Sequence, residues 1–213
     1  MARLHRLFKL ILVAIGTVLI ASIGISIETT LVRDALADKQ AVCDFYFGNK
    51  AHSLAFISIT GRYFPDWKTA LAVIETESGF DPYCKSTYTV KVKGKKKKVA
   101  FLCRGYFQMD KETFKLICKK YKINFTDYWD IYDSSNNILV GVIHLRDCLS
   151  TYGYCKGLEI YNVGSGNFFD KGWRNQDYVK TVQKNRDKVE YWEKEFRRQR
   201  TKKTSITSLF RLN

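Results

Sequence analysis

Trp67, Ala70, Ile74 and Glu77 recur at the three- and four-residue intervals that place side chains on one face of a helix. Asp66, just after Pro65, is a capping residue and Gly79 a stop, so the pattern predicts a helix from 66 to 79. The stripe is apolar until Glu77, and a carboxylate held there is desolvated, which favours its neutral, proton-donating form. Glu75 faces another way and reads as a surface charge or ion-pair partner. From Thr87 to Leu102 the period changes: Tyr88, Val90 and Val92 alternate with Thr89, Lys91 and Lys93, then come Gly94, four lysines and Val99 to Leu102, which predicts a β-hairpin. Cys84 and Cys103 flank it symmetrically, so a disulfide stapling its base is expected. Beyond it the pattern is helical, from Asp110 to Tyr121, from Ser134 or Ser135 through Leu149, from Gly157 to Val163, and from about Asn175 into Tyr191–Arg200. The fold class is therefore mainly α with one small β-hairpin insertion.

The N-terminal pattern differs. Leu10 to Ile27 is uncharged, mostly apolar and long enough for a membrane-spanning helix, and its basic flank, Arg3, Arg6 and Lys9, lies before it. Positive charge on that side keeps the N-terminus in the cytoplasm and sends the rest of the chain across the cytoplasmic membrane. Ala35-Leu36-Ala37 resembles a cleavage tripeptide but lies beyond Glu28, Arg33 and Asp34, so an uncleaved single-pass anchor is expected over a removed signal peptide. The expected organisation is an anchor at 1–28, a connector at 29–42, one folded domain at 43–192 and a basic tail at 193–213 with little to bury, mobile or surface-bound.

The 213 residues suffice for one domain with a core, and the aromatic and aliphatic content excludes disorder throughout. A formal charge of +15 points to an anionic partner. Export argues against nucleic acid, and the Lys91–Lys98 run has no aromatic side chains near its tip for base stacking. Six cysteines in an oxidising compartment suggest disulfides, while no Cys-x-x-Cys pair with companion histidines suggests a zinc site.

Four separated segments carry candidate chemistry: Glu77-Ser78 with Phe80, Asp81 and Pro82; Gly105-Tyr106-Phe107-Gln108-Met109; Asn137 with Gly141; and Tyr161-Asn162-Val163-Gly164. Together they resemble the soluble lytic transglycosylase (SLT) family, whose fold is shared with goose-type lysozyme, over roughly residues 60 to 185. Glu77-Ser78 is similar to its Glu-Ser motif, Gly105 to Met109 to its Gly-Leu-Met-Gln motif, Tyr161-Asn162 with Gly164 to its Tyr-Asn-Ala-Gly motif, and Tyr178-Val179 with Val182 to the Tyr-Val-x-x-Val of its last helix. Tyr106 and Phe107 depart from the usual Leu and Met, His144 stands where an aromatic is usual, and the lysine-rich hairpin is longer than expected.

The resemblance implies a lysozyme-like (α+β) domain acting on peptidoglycan glycan strands without metal or cofactor. Glu77 is implied as the single acid and base, cleaving the bond between N-acetylmuramic acid (MurNAc) and N-acetylglucosamine (GlcNAc) and leaving a 1,6-anhydro ring. Ser78 would bond near the acid or the sugar, Gln108 would line the groove, Tyr161 would orient Glu77 through its hydroxyl, and Asn162 would fix local geometry. Gly105 and Tyr178 complete the expected site. A hydrolytic lysozyme on the same fold and a wall-binding protein without turnover are the alternatives, and short enzymes of this type resemble those serving a secretion or conjugation apparatus. His144, alone on its helix, reads as structural before it reads as a base, and Asp81 as a turn residue before Pro82.

Overall fold

The computed structural model describes residues 29–92, 95–124 and 128–209. The chain divides into two compact units, residues 1–39 and 40–213. In the first, residues 29–39 are helical. The expected anchor from Leu10 to Ile27 lies outside the described residues, and among those described no helix is long and apolar enough to cross a membrane.

The second unit opens with a helical stretch at 40–47 (α1), followed by α2 (Lys50–Tyr63) and α3 (Trp67–Ser78). Neither α1 nor α2 is among the predicted elements. Two of the three buried positions of α2 are hydroxyls, Ser53 and Thr60, beside Phe56, so its inward face does not read as apolar. Thr60 is accommodated because its Oγ1 donates to the Phe56 carbonyl at 2.7 Å. α3 starts where predicted: the Asp66 carboxylate accepts from the Thr69 N–H at 3.3 Å, and Gly79 ends the helix with a left-handed φ of 57°. Its middle is buried on every side from Thr69 to Ile74, more completely than a single stripe implies.

The hairpin forms from β1 (Lys85–Val92) and β2 (Lys95–Arg104). Its outer part pairs as the sequence suggests, Tyr88 with Val99 and Val92 with Lys95. A bulge between Ser86 and Tyr88 then shifts the register, so that Ser86 faces Cys103 and Lys85 faces Arg104. Without that shift Cys84 would stand opposite Cys103; with it Cys84 falls beside Gly105, whose N–H donates to the Cys84 carbonyl at 3.1 Å. The expected Cys84–Cys103 disulfide is therefore absent, and none of the six cysteines is in a disulfide. Diagonal neighbours in a sheet lie about 7–8 Å apart, beyond the usual Cα span of a disulfide.

Helices α4 (Lys111–Tyr121), α5 (Ser134–Tyr152), α6 (Tyr154–Val163), α7 (Ser165–Asp170) and α8 (Gln176–Leu209) complete the unit, with a short 3-10 turn at Tyr128–Tyr132. Asp110 caps α4 as expected. α5 is capped by Asp133 rather than Ser134 or Ser135, its side chain accepting from the Asn136 N–H at 3.0 Å. α7 follows α6 directly after Gly164 and is not among the predicted elements, and α8 carries helical structure through Leu209, beyond the Arg200 limit predicted for it. α3 and α5 are the most buried helices; α8 packs along α3, tied by Asn185 Nδ2 to Thr76 Oγ1 (3.0 Å) and by Lys188 to Glu75 (3.0 Å), while α2 and α6 pack on α5. Glu75 is thus the ion-pair partner its position suggested.

Gly141 on α5 matters because a Cβ there would overlap the buried Phe107 side chain. Gly141→Ala is expected to cost about 2–3 kcal/mol in urea unfolding. A loss below about 0.5 kcal/mol, the scale of an ordinary surface change, would mean that Phe107 moves aside freely.

Candidate active site

Glu77 sits in the last turn of α3, where the buried middle of the helix fixes its direction. Its Oε1 accepts a 2.6 Å hydrogen bond from the hydroxyl of Tyr178, in the first turn of α8. Tyr178 is placed by Asn175, whose Oδ1 accepts from the Tyr178 N–H at 3.0 Å and whose Nδ2 donates to Asn162 Oδ1 at 2.7 Å. Asn162 follows Tyr161 at the end of α6, and the Tyr161 hydroxyl donates to the Phe107 carbonyl at 2.8 Å. The circuit closes through Ser78, whose Oγ donates to the Tyr106 carbonyl at 3.0 Å and to the Ile74 carbonyl at 3.1 Å.

The loop from Gly105 to Gln108 is closed at its base by paired backbone bonds of 3.1 Å between Arg104 and Met109. Gly105 takes a φ of 70°. Gln108 takes a φ of 44°, a left-handed conformation unusual for a residue with a side chain. Its Nε2 donates to the carbonyls of Cys84 (3.0 Å) and Gly105 (2.9 Å), which fixes the amide and leaves Oε1 as a buried acceptor without a protein partner. Asn137 holds the same loop from α5: its Oδ1 accepts from the Phe107 N–H at 3.0 Å and its Nδ2 donates to the Arg104 carbonyl at 2.9 Å.

All seven expected site residues, Glu77, Ser78, Gly105, Gln108, Tyr161, Asn162 and Tyr178, therefore belong to one connected set. Their partners differ from expectation in one respect. The contact to Glu77 that the resemblance gives to Tyr161 is made by Tyr178, while Tyr161 secures the loop. Asn175 was legible only as a helix start, and its second bond, to Asn162, has no sequence signal. Asp81 is a turn residue, its carboxylate accepting from the Tyr83 N–H at 2.8 Å.

Burial raises Glu77 from its ordinary value of 4.5 to about 7, against the opposing effect of the Tyr178 hydrogen bond. Burial, and then the Glu77 charge, push both Tyr161 and Tyr178 well above the usual phenol range, so both remain hydroxyl donors at neutral pH. His144 is driven down to about 4, mainly by burial. It stays neutral near pH 7 with its ring packed on Tyr161 at 5.1 Å, a structural part rather than a base. Among the described residues no group of His, Cys, Asp or Glu is arranged to hold a metal ion.

This helical frame, with a loop and two tyrosines gathered around one protonated carboxyl, is that of an SLT-type domain. The chain belongs to the transglycosylase SLT domain family, whose model matches residues 55–185, more than half of the sequence. Among solved structures, that of the 70 kDa soluble lytic transglycosylase from Escherichia coli is similar, with 18% identity and a TM-score of 0.53 over 65% of this chain and 24% of that one. Another is an inactive mutant of the lytic transglycosylase Slt from Pseudomonas aeruginosa, with 18% identity and a TM-score of 0.48 over 68% of this chain and 23% of that one. The first of these likenesses shows the lysozyme-like fold. The chain spans about a quarter of the length of either protein. Comparison with curated proteins finds no match.

The raised pKa of Glu77 makes folding stability depend on pH. The unfolded chain loses this proton near pH 4.5 and the folded chain near 7, so the folded state binds more protons between them. The stability this group contributes is complete below 4.5 and is lost as the pH rises through 7. Glu77→Gln has no charge to desolvate, so its stability relative to wild type should rise by about 3 kcal/mol between pH 4 and pH 8 in urea unfolding. An equal difference at both pH values would show that the carboxyl is not desolvated.

Proposed function

We propose that this chain is a peptidoglycan lytic transglycosylase that cleaves the β-1,4 bond between MurNAc and GlcNAc and closes a 1,6-anhydro ring on the MurNAc product. The observation that carries the reading is the Glu77 carboxyl at the end of α3 with one oxygen held by Tyr178, in surroundings whose burial pushes its pKa up to about 7. Most glycosidases divide the work between two carboxylates; here one group serves in sequence. With Oε1 accepting from Tyr178, the proton resides on Oε2 and passes to the glycosidic oxygen as the anomeric C–O bond breaks. The positive charge at the anomeric carbon is met by the carbonyl oxygen of the substrate's own N-acetyl group. The Glu77 carboxylate, stabilised by the Tyr178 hydroxyl, then takes the proton of the C6 hydroxyl while O6 bonds to the anomeric carbon. That restores the acid for the next turn. The unpartnered Oε1 of Gln108 is an acceptor for a sugar N–H or O–H, since its amide hydrogens are already committed.

In this reading the domain works outside the cytoplasmic membrane of a bacterium, tethered by the apolar N-terminal segment or released if that segment is removed. Local opening of the wall for a secretion or conjugation apparatus is the corresponding role.

Mass spectrometry of soluble fragments released from purified peptidoglycan tests the reaction. Wild type should release anhydro-muropeptides, Glu77→Gln should release none, and Tyr178→Phe should keep activity lowered by roughly tenfold to a hundredfold. Reducing-end products that depend on Glu77 would assign a hydrolytic lysozyme instead. No release by folded wild type would assign a wall-binding protein.

A further inference from the structure

The segment between the two halves of the site, residues 164–175, carries a surface that the chemistry at Glu77 does not use. Phe169 and Trp173 are 52% and 54% exposed, whereas Phe168, its ring 5.1 Å from that of Phe169, is buried. Three cations lie over these rings: Lys156 Nζ is 5.2 Å from the Phe169 centroid, Lys171 Nζ is 5.0 Å from that of Trp173, and the Arg174 guanidinium is 3.5 Å from that of Phe168. Arg174 also donates to the carbonyls of Phe168 and Trp173 at 3.0 Å each, and Lys171 donates to Asn167 Oδ1 at 2.9 Å. Among the described residues none of the three is paired with a carboxylate. Other exposed cations of the same unit, such as Lys120, Lys188 and Arg198, do have acidic partners.

We propose that this surface is a second binding site for peptidoglycan, in which Trp173 and Phe169 stack on sugar rings and Lys156, Lys171 and Arg174 pair with the carboxylates of the stem peptides. The inference rests on the reading of the chain as a peptidoglycan enzyme and adds where else the strand is gripped. The exposed area of Phe169 and Trp173 leaves room for the apolar faces of pyranose rings, and ammonium and guanidinium groups without a carboxylate partner suit an acidic peptide. A lipid surface fits less well, because Lys156 and Lys171 stand against the two rings that would have to enter the bilayer. The surface is also mechanically tied to the acid. Arg174 immediately precedes Asn175, which bonds Asn162 and the backbone of Tyr178.

The test uses the full chain in detergent with Glu77→Gln, so that substrate is held without turnover. It is titrated with a GlcNAc–MurNAc tetrasaccharide bearing stem peptides, and with the same glycan after enzymatic removal of the stems. Trp173→Ala is expected to weaken binding of the stem-bearing glycan roughly tenfold, the scale of one aromatic anchor. Removing the stems should weaken binding by a similar factor in the parent and leave the Lys156→Gln/Lys171→Gln double variant unmoved. Those two lysines are exposed, so the double variant reads out the site even if Trp173→Ala fails to fold. Affinities unchanged by every substitution overturn the inference, as does loss of binding to phosphatidylglycerol vesicles in Trp173→Ala with glycan affinity intact. Anhydro-muropeptide release by wild type is measured alongside. Its absence with stem-dependent binding retained rejects the enzymatic reading and supports this site, whereas its presence with unmoved affinities rejects this site alone.

Discussion

One buried amide holds the loop of the candidate site in place. The loop from Gly105 to Gln108 lies outside both strands and helices, and the side chain of Asn137, 1% exposed, supplies what regular structure would have supplied. Its carbonyl oxygen takes the Phe107 N–H, and its amide nitrogen serves the carbonyls of Arg104 (2.9 Å) and Ile131 (3.3 Å). Leaving such backbone groups unpaired inside the protein would cost about 1–3 kcal/mol each. The same amide explains Gly105: a Cβ at that position would press against the Asn137 side chain. Tyr161 then fastens to a carbonyl whose position Asn137 has already set, and Ser78 links the loop to the helix of the acid.

Around this anchor the chain tolerates backbone conformations that it would otherwise avoid. Phe80 and Gln108 both have positive φ, 67° and 44°, and both flank the site in sequence or in space. Each such residue costs on the order of 1–3 kcal/mol and persists where surrounding contacts determine it. For Phe80 these are ring contacts with Tyr46 (5.1 Å) and Phe47 (5.2 Å). For Gln108 they are the two carbonyls that take its amide hydrogens. The second arrangement also leaves an acceptor unsatisfied, a sign that the conformation serves recognition more than stability.

The features legible in the sequence were those set by local chemistry. Asp66 and Asp110 cap helices through bonds to residues two or three positions away, and Gly79 ends α3 because its own backbone can turn left-handed. The segments of the site were legible too, since each carries its residue types at short spacing. What could not be read depends on contacts across the fold. The two tyrosines lie in different helices far along the chain from Glu77, and nothing in their spacing tells which phenol reaches it. α2 is not legible because its inward face carries two hydroxyls, Thr60 bonded to the Phe56 carbonyl and Ser53 bonded by the Gln40 amide. The bulge at Ser86–Tyr88 was equally hidden, because it is fixed where the Cys84 carbonyl meets Gly105 and Gln108, not by the alternation of the strands.

That bulge separates the hairpin into two mechanical parts. The base, where Lys85 faces Arg104, is locked to the loop of Gln108, while the outer strands follow a register of their own, offset from it by two residues. A change of length or sequence beyond the bulge is absorbed there before it reaches the carboxyl of Glu77. The lysine-rich arm and the pairing that holds Gln108 thus follow separate registers within one hairpin.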